Sequence, residues 1–189
     1  MTEFTIDEIT IPATLEAPGA QDFVDALEVS RIVEEIGYGT PDLYYLPAEE
    51  LPSFQNPVEP RRMLVARVDG RVVGNASYET VVDTDTGWML VEVLPAHRNA
   101  GIGTALADAI EAMAVADGRT KFLVYTPIPN LPGERLPSPT GFGSIAITPD
   151  VTFLTARGYS LEQLRFLVQH FERAITITQE QAAAIAATE

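Results

Sequence analysis

The segment with the clearest chemical potential is Val93–Leu106, which reads VLPAHRNAGIGTAL. An apolar strand ends at Pro95, and an amphipathic helix begins at two glycines, Gly101 and Gly103. A helix start presents backbone N–H groups without intrahelical partners and the positive end of the helix dipole, and glycine allows a ligand to approach the backbone closely. The segment therefore predicts a cradle for an anion such as a pyrophosphate. Arg98 would add a charge-assisted contact to that anion or brace the loop.

Two other phosphate-binding glycine motifs do not fit this segment. The dinucleotide fingerprint GxGxxG requires a third glycine where this chain has Leu106. A P-loop requires lysine followed by serine or threonine, and the segment contains no lysine. A purely structural alternative stays open, in which Gly101 and Gly103 only shape the turn between a strand and a helix.

Composition narrows the class of protein. With 189 residues and 46% hydrophobic residues, the chain is expected to form one α/β domain with a substantial core. It has no apolar run long enough to cross a membrane and no basic, apolar start typical of a secretion signal, so we expect a cytoplasmic protein. The absence of cysteine excludes disulfides, thiolate catalysis and zinc–sulfur sites. A net charge of −15 disfavours nucleic-acid partners; it suits a cationic amine, or serves only solubility.

Hydrophobic periodicity predicts a strand, two helices and a three-stranded meander in the N-terminal half. The predicted strands and helices are Phe4–Ile11, Gln21–Ile36, a short helix near Ala48, Met63–Val68, Val72–Val82 and Trp88–Leu94. Gly37 and Gly39 are expected to stop the first helix. Asp69-Gly70 predicts a tight hairpin turn, and Gly74 predicts a bulge within the second strand of the meander.

The C-terminal half begins with the most regular helix of the chain, Gly101–Asp117, followed by a strand over Phe122–Thr126. The next 23 residues, Pro127–Pro149, are rich in proline and glycine, so we predict a loop without regular structure. It either covers the acceptor side of a site or is a disordered surface excursion. The remaining expected elements are a helix over Asp150–Arg157, a strand over Leu161–Phe171 and a helical segment that opens with the capping-box pattern Thr178–Gln181.

The pattern Arg98-x-x-Gly101-x-Gly103 after Val93-x-Pro95 resembles motif A of the GNAT acetyltransferase superfamily. The order of predicted elements around it is also similar, which agrees with the motif. The resemblance implies a GNAT fold: an α/β domain with a mixed, mostly antiparallel sheet, flanked by helices and splayed where acetyl-CoA binds. A second resemblance, in Gly133–Gly143 and Arg157–Gln163, is to the N-terminal half of actinobacterial two-domain GNAT proteins.

The family resemblance implies a set of ligand contacts. Acetyl-CoA would lie between the strands Trp88–Leu94 and Phe122–Thr126, and its pantetheine arm would bond the backbone near Val91 and Val93. Its pyrophosphate would lie on the backbone amides of the loop and first helical turn. The residues that this implies are Arg98, Asn99, Ala100, Gly101, Ile102, Gly103 and Thr104.

The chain departs from the family pattern at the catalytic groups. Many members use a tyrosine as general acid, and the matching position here is Leu154. Many also have a glutamate early in the motif strand as general base, where this chain has Gly87 or Trp88. Glu92, Glu79 and Tyr125 are the candidate catalytic groups that remain, and strand alternation leaves the face of Glu92 open.

The sequence thus predicts an acetyl-CoA-dependent transfer to a primary amine, on a small molecule or a peptide, by direct attack. One alternative is a weak or inactive acyl-CoA-binding domain that supports a partner GNAT domain, and another is an anion-binding regulatory domain without preference for CoA. We expect the GNAT domain to cover residues 1–177 and the segment 178–189 to begin a linker. That segment needs something to pack on, which suggests a homodimer or a covalently linked second GNAT domain.

Overall fold

The computed structural model describes residues 3–80 and 84–161. The chain divides into two compact units, Met1–Pro127 and Ile128–Glu189, each of which is described by itself. Along the described chain, no helix is long and apolar enough to cross a membrane.

The described part of the first unit contains five strands and three helices. They are β1 (Thr5–Ile9), α1 (Ala20–Tyr38), α2 (Pro47–Phe54), β2 (Arg61–Val68), β3 (Arg71–Thr80), β4 (Thr86–Val93), α3 (Ile102–Ala116) and β5 (Lys121–Val124). A single 3-10 turn, Pro95–His97, separates β4 from the loop that leads to α3. The elements expected from periodicity are therefore present in this unit, with ends that differ by a few residues.

The five strands form one sheet in the order β1-β2-β3-β4-β5. The first four are antiparallel to one another, whereas β5 runs parallel to β4. The β4–β5 register begins at Thr86 opposite Lys121 and ends at Met89 opposite Val124. Because β4 continues to Val93, its last four residues extend past the register with β5, which agrees with the splay that the family resemblance implies.

Helices cover both faces of the sheet and create two hydrophobic clusters. On one face α3 packs against the sheet through Ile102, Leu106, Ile110 and Ala114, which meet residues such as Tyr78, Met89 and Val93. On the other face α1 and α2 contribute Phe23, Leu27, Leu51 and Phe54, which pack against Met63 and Val65 of β2. The apolar stripe of α3 thus fixes the position of its N-terminus at the end of β4.

Two predicted backbone features are confirmed in the β2–β3 hairpin. Asp69 and Gly70 both adopt positive φ, 49° and 77°, as a tight hairpin turn requires. The register shifts between Ala66 and Arg67, beside Gly74, so this hairpin contains the expected bulge. A Cβ at Gly74 would lie 2.9 Å from the carbonyl oxygen of Glu92, which explains why a glycine is required there.

The expected role of Gly37 is wrong. Helix α1 continues through Gly37 to Tyr38 and ends at Gly39, whose φ of 73° provides a left-handed C-cap. Gly37 instead allows a close approach, because a Cβ there would lie 2.6 Å from the Cβ of Pro127. A tertiary contact, and not a helix stop, accounts for this glycine.

The second unit corrects the prediction of an irregular segment over residues 127–149. It contains a small hairpin of β6 (Arg135–Pro137) and β7 (Ser144–Ala146), followed by α4 (Pro149–Ala156). Each strand has three residues, which is too short for an alternating pattern to be recognised among prolines and glycines. Apart from its first residue, the predicted strand Leu161–Phe171 lies outside the described residues, as does the helical segment from Thr178, so the predicted domain limits remain predictions.

Candidate active site

The predicted anion cradle lies where β4 leads into α3. Asn99 and Gly101 both adopt left-handed φ, 59° and 87°, and Gly101 is the N-cap of α3. The first backbone bond of this helix runs from the amide of Ala105 to the carbonyl oxygen of Gly101, at 3.0 Å. The amides of Ile102, Gly103 and Thr104 therefore precede the helical hydrogen-bond ladder and point out of the helix end.

The residues of this helix start suit a negatively charged ligand. Within the described chain, no side chain caps α3, and its first turn holds no acidic residue. A Cβ at Gly101 would meet nothing within 4 Å, and one at Gly103 would meet only Val93, at 3.7 Å. Protein packing therefore does not require glycine at position 103, and the space that a side chain would occupy at either glycine is open. This observation fits a pyrophosphate.

Arg98 braces the loop. Its Nε donates a hydrogen bond to the carbonyl oxygen of Val93, at 3.1 Å, and links the end of β4 to the start of the loop. Of the two roles considered for Arg98 from the sequence, this bond supports bracing.

The backbone of β4 has hydrogen-bonding groups at the splay. The amide of Tyr125 donates to the carbonyl oxygen of Met89, at 3.3 Å, so Met89 turns its backbone groups toward β5. Alternate residues of a strand point their N–H and C=O groups to the same side. Val91 and Val93 therefore also direct theirs toward the side of β5, past the end of its register. These are the two residues expected to bond pantetheine.

Glu92 lies on the face of the sheet that α1 covers, which answers the question that strand alternation left open. It is buried, with 3% of its surface exposed. Its Oε2 accepts a hydrogen bond from Asn75 Nδ2 at 3.4 Å, whereas no described residue bonds its Oε1. Burial raises the pKa of Glu92, although hydrogen bonds from Ser30 and Asn75 and the charge of Arg98 oppose this effect.

The other two predicted catalytic residues differ from Glu92 in their surroundings. Glu79 forms an ion pair with Arg61, with an N–O distance of 2.6 Å, so its carboxylate has a cationic partner. Tyr125 follows β5 and is 43% exposed, and its hydroxyl lies 2.6 Å from the hydroxyl of Tyr38. Glu92 and Tyr125 thus both lie beside α1, whereas the carboxylate of Glu79 is bound to Arg61 of β2.

The sequence did not single out two residues of α1 that lie at this site, Glu34 and Tyr38. Together with Ser30 they follow one another at intervals of four residues, so all three share one face of the helix. A repeat of polar side chains at this spacing, within an otherwise apolar stripe, is the signal that could have revealed them. These three residues of α1 face Asn75 of β3, Glu92 of β4 and Tyr125, which follows β5. We call the six residues together the polar seam.

Electrostatics at the polar seam favour neutral carboxyl and hydroxyl groups. Burial, then the charges of Glu92 and Glu50, raise the pKa of Glu34 to about 7. Burial and the hydrogen bond with Tyr125 raise the pKa of Tyr38, which keeps that hydroxyl protonated. Within residues 3–80 and 84–161, no three His, Asp or Glu side chains converge in a way that could hold a metal ion.

Comparison with known proteins agrees with this geometry. The acetyltransferase (GNAT) family matches residues 29–142, which include the whole three-stranded meander, the loop before α3, and α3 itself. The chain belongs to the GNAT acetyltransferase family. A comparison with the curated proteins finds no match.

Several solved structures have the same fold. A tandem GNAT protein from the clavulanic acid biosynthesis pathway matches 82% of this chain at 18% identity and a TM-score of 0.57. The chain spans only 43% of the length of that protein. The PaiA N-acetyltransferase from Thermoplasma acidophilum, in complex with coenzyme A, matches 86% of this chain and 93% of its own, at 13% identity and a TM-score of 0.54. An aminoglycoside acetyltransferase from an uncultured soil metagenomic sample, in complex with sisomicin, matches 87% of this chain and 95% of its own, at 13% identity and a TM-score of 0.55.

Proposed function

We propose that this protein transfers an acetyl group from acetyl-CoA to a primary amine of a small molecule, by direct attack of the amine on the thioester. The observation that carries the proposal is the open helix start at Gly101–Thr104, which follows a strand that extends past its parallel neighbour. Family membership supports the same donor, and the structure of PaiA N-acetyltransferase, which has the same fold, contains coenzyme A.

In this proposal the chain's own residues position the donor. The amides of Ile102, Gly103 and Thr104 bind the pyrophosphate, and Arg98 keeps the preceding loop, with Asn99 and Ala100, in shape. Backbone groups of Val91 and Val93 bind the pantetheine arm. Such positioning, with polarisation of the thioester carbonyl by backbone donors, supplies much of the rate enhancement in acyl transfer.

The face of the sheet beside α1 supports an amine as acceptor. Trp88 and Glu92 are four residues apart on β4, so their side chains share this face, and Trp88 is 45% exposed. An exposed aromatic ring such as that of Trp88 attracts an ammonium group. Tyr125, half-exposed beside the end of β5, is the candidate to pass a proton to the leaving sulfur. A thiol has a pKa near 8.5, so the thiolate also leaves without full protonation.

The experiment is a screen for amine-dependent release of free thiol from acetyl-CoA, with primary amines that include a polyamine and an aminoglycoside. Mass spectrometry of each reaction identifies the N-acetylated product. We expect at least one amine to give product in an amount equal to the thiol released. Acetyl-CoA hydrolysis without any N-acetylated product would contradict the proposal.

A second candidate function is an acyl-CoA-binding domain that supports a partner GNAT domain. Leu154 favours it, because it stands where many family members have the tyrosine acid. The tandem GNAT protein matched here is more than twice as long as the region that it shares with this chain. Acetyl-CoA binding in calorimetry without turnover on any amine would support this second candidate, and preference for ADP over CoA would support a general anion-binding domain.

A further inference from the structure

The polar seam contains a chemical group that the proposed transfer requires and that the family pattern does not supply at its usual position. A primary amine is protonated at neutral pH, since the ordinary pKa of an alkylamine such as lysine is about 10.4. Only the neutral amine has a lone pair that can attack a carbonyl carbon. The early β4 positions, Gly87 and Trp88, offer no base.

Contacts made by Ser30 and Tyr38, one helical turn on either side of Glu34, locate Glu34 relative to the place where β4 extends past β5. One turn before Glu34, Ser30 accepts a hydrogen bond from Asn75 at 3.1 Å, and Asn75 lies opposite Glu92 in the β3–β4 register. One turn after Glu34, the hydroxyl of Tyr38 lies 2.6 Å from that of Tyr125. Tyr125 in turn bonds Met89, the last β4 residue in register with β5.

Because helix residues four apart share a face, Glu34 lies between these two anchor points. One anchor is Glu92 on β4, and the other is Tyr125 just beyond β5. The Glu34 side chain therefore lies over the sheet where the two strands separate. This is also the position at which the proposed function requires the acceptor nitrogen to meet the thioester.

We propose that Glu34 is the general base that takes a proton from the ammonium group of the acceptor. The inference rests on the proposed acetyl transfer. The Glu34 carboxylate takes one proton, and the amine nitrogen uses the lone pair thus released to bond the thioester carbonyl carbon. The carbon–sulfur bond breaks, and its electron pair leaves with the sulfur. The nitrogen loses a second proton as the amide forms, and this proton ends on the sulfur, so the products are an N-acetyl amide and a free thiol.

Glu92 is a second carboxyl group on the face of the sheet that α1 covers, where it accepts a hydrogen bond from Asn75. Its buried Oε1 has no hydrogen-bond partner among the described residues, and burial raises its pKa, so this carboxyl group favours its neutral form. Burial of Glu34 itself is the main cause that raises its pKa to about 7, and any negative charge on Glu92 or Glu50 adds to this effect. A base whose pKa lies near the working pH is the most effective compromise between being deprotonated and accepting a proton.

Other titratable groups around Glu34 do not cancel this effect. Tyr38, on the same helix as Glu34, stays protonated because its pKa is raised. The pKa of Tyr44, in the loop after α1, is also raised, mainly by burial and then by nearby carboxylates that include Glu34. Two carboxylates, Glu50 and Glu79, share Arg61, at 3.7 Å and 2.6 Å. Arg61 therefore makes its shorter ion pair with Glu79 and not with Glu50.

The test compares kcat/KM for the acceptor amine as a function of pH in the wild type, Glu34→Gln and Glu35→Gln. Glu35 is the matched control, because it is the next residue of α1, is exposed and pairs with Arg31 at 2.9 Å. We expect kcat/KM of the wild type to rise to a plateau above pH 7, and Glu35→Gln to behave alike. Glu34→Gln should lose about 10²–10⁴-fold near pH 7.5. Its deficit should shrink about tenfold per pH unit toward the pKa of the amine, because free neutral amine then supplies the nucleophile.

Two outcomes would overturn the assignment and are distinguishable from failure of the proposed function. Acetylation that survives Glu34→Gln with an unchanged pH profile overturns Glu34 as base and leaves acetyl transfer intact. A carboxyl resonance of Glu34 that titrates at the ordinary value of a glutamate, in NMR of the labelled full chain, also overturns the assignment. If the wild type acetylates no amine at all, the proposed function fails, and the base assignment falls with it. Calorimetric affinity for acetyl-CoA should be equal in all three proteins, which shows that each is folded.

Discussion

Replacement of Gly103 by valine should separate binding of acetyl-CoA from stability of the fold. Valine and glycine differ by less than about 0.5 kcal/mol in helix propensity, and a Cβ at position 103 makes only an ordinary contact, 3.7 Å from Val93. The free energy of unfolding should therefore change little. Gly103→Ala should even raise it by about 0.5–1 kcal/mol, because alanine is the better helix former.

Binding should respond in the opposite direction. A branched side chain at position 103 occupies the space beside the orphan amides of the first turn of α3, where a phosphate would approach. A hydrogen bond from an amide to a charged group contributes about 1.5–3 kcal/mol, so its loss lowers affinity about 10- to 150-fold. We expect this loss in Gly103→Val and a smaller one in Gly103→Ala.

Isothermal calorimetry with acetyl-CoA, together with urea unfolding, measures both quantities. The matched control is Ala112→Val, which adds the same branched side chain to an exposed position near the other end of α3. The control should lose about 0.5 kcal/mol of stability and bind acetyl-CoA as the wild type does. Wild-type affinity in a folded Gly103→Val protein would refute the assignment of the pyrophosphate to this helix start.

Three further predictions concern stability and the loop. Since burial raises the pKa of Glu92, the fold favours its neutral form, so stability should fall as pH rises above the ordinary value of 4.5, by up to about 1.4 kcal/mol per pH unit. Glu92→Gln should flatten this dependence in urea unfolding at pH 5 and pH 8. Gly37→Ala should destabilise the protein by about 1–3 kcal/mol, because its Cβ would meet Pro127 at 2.6 Å, although Ala normally stabilises a helix. Arg98→Gln should lower affinity for acetyl-CoA about tenfold in calorimetry, because the loop loses its bond to the carbonyl oxygen of Val93.

Each of these three has a contrary result. Equal pH dependence in Glu92→Gln and the wild type would mean that Glu92 is charged in the folded protein. A gain of stability in Gly37→Ala would mean that α1 and Pro127 are not in close contact. Unchanged affinity for acetyl-CoA in Arg98→Gln would mean that the loop keeps its conformation without the hydrogen bond from Arg98 to Val93.

The helix start at Gly101 could be predicted from the sequence because it is local. Pro95, Gly101 and the apolar stripe that starts at Ile102 lie within a few residues of one another, and each acts through its own backbone preference. The splay of β4 from β5 followed from the family resemblance and not from any pattern in the residues.

The polar seam could not be predicted in the same way, because its parts come from distant segments. Ser30 and Glu34 lie on α1, whereas Asn75, Glu92 and Tyr125 come from β3, β4 and the end of β5. Only the tertiary packing of α1 on the sheet decides that they meet. The contact between Gly37 and Pro127 was missed for the same reason, since a glycine near a helix end is locally indistinguishable from a stop.

Transfer of a labelled acetyl group tests the central claim most directly. The chain is mixed with one equivalent of acetyl-CoA that carries ¹³C in its acetyl group and with the best amine of the screen, and the label is followed by NMR. We predict that the label moves to the amine nitrogen as an amide while an equal amount of free thiol appears. A label that stays on CoA, or that appears only as acetate, would contradict the claim that this protein is an N-acetyltransferase.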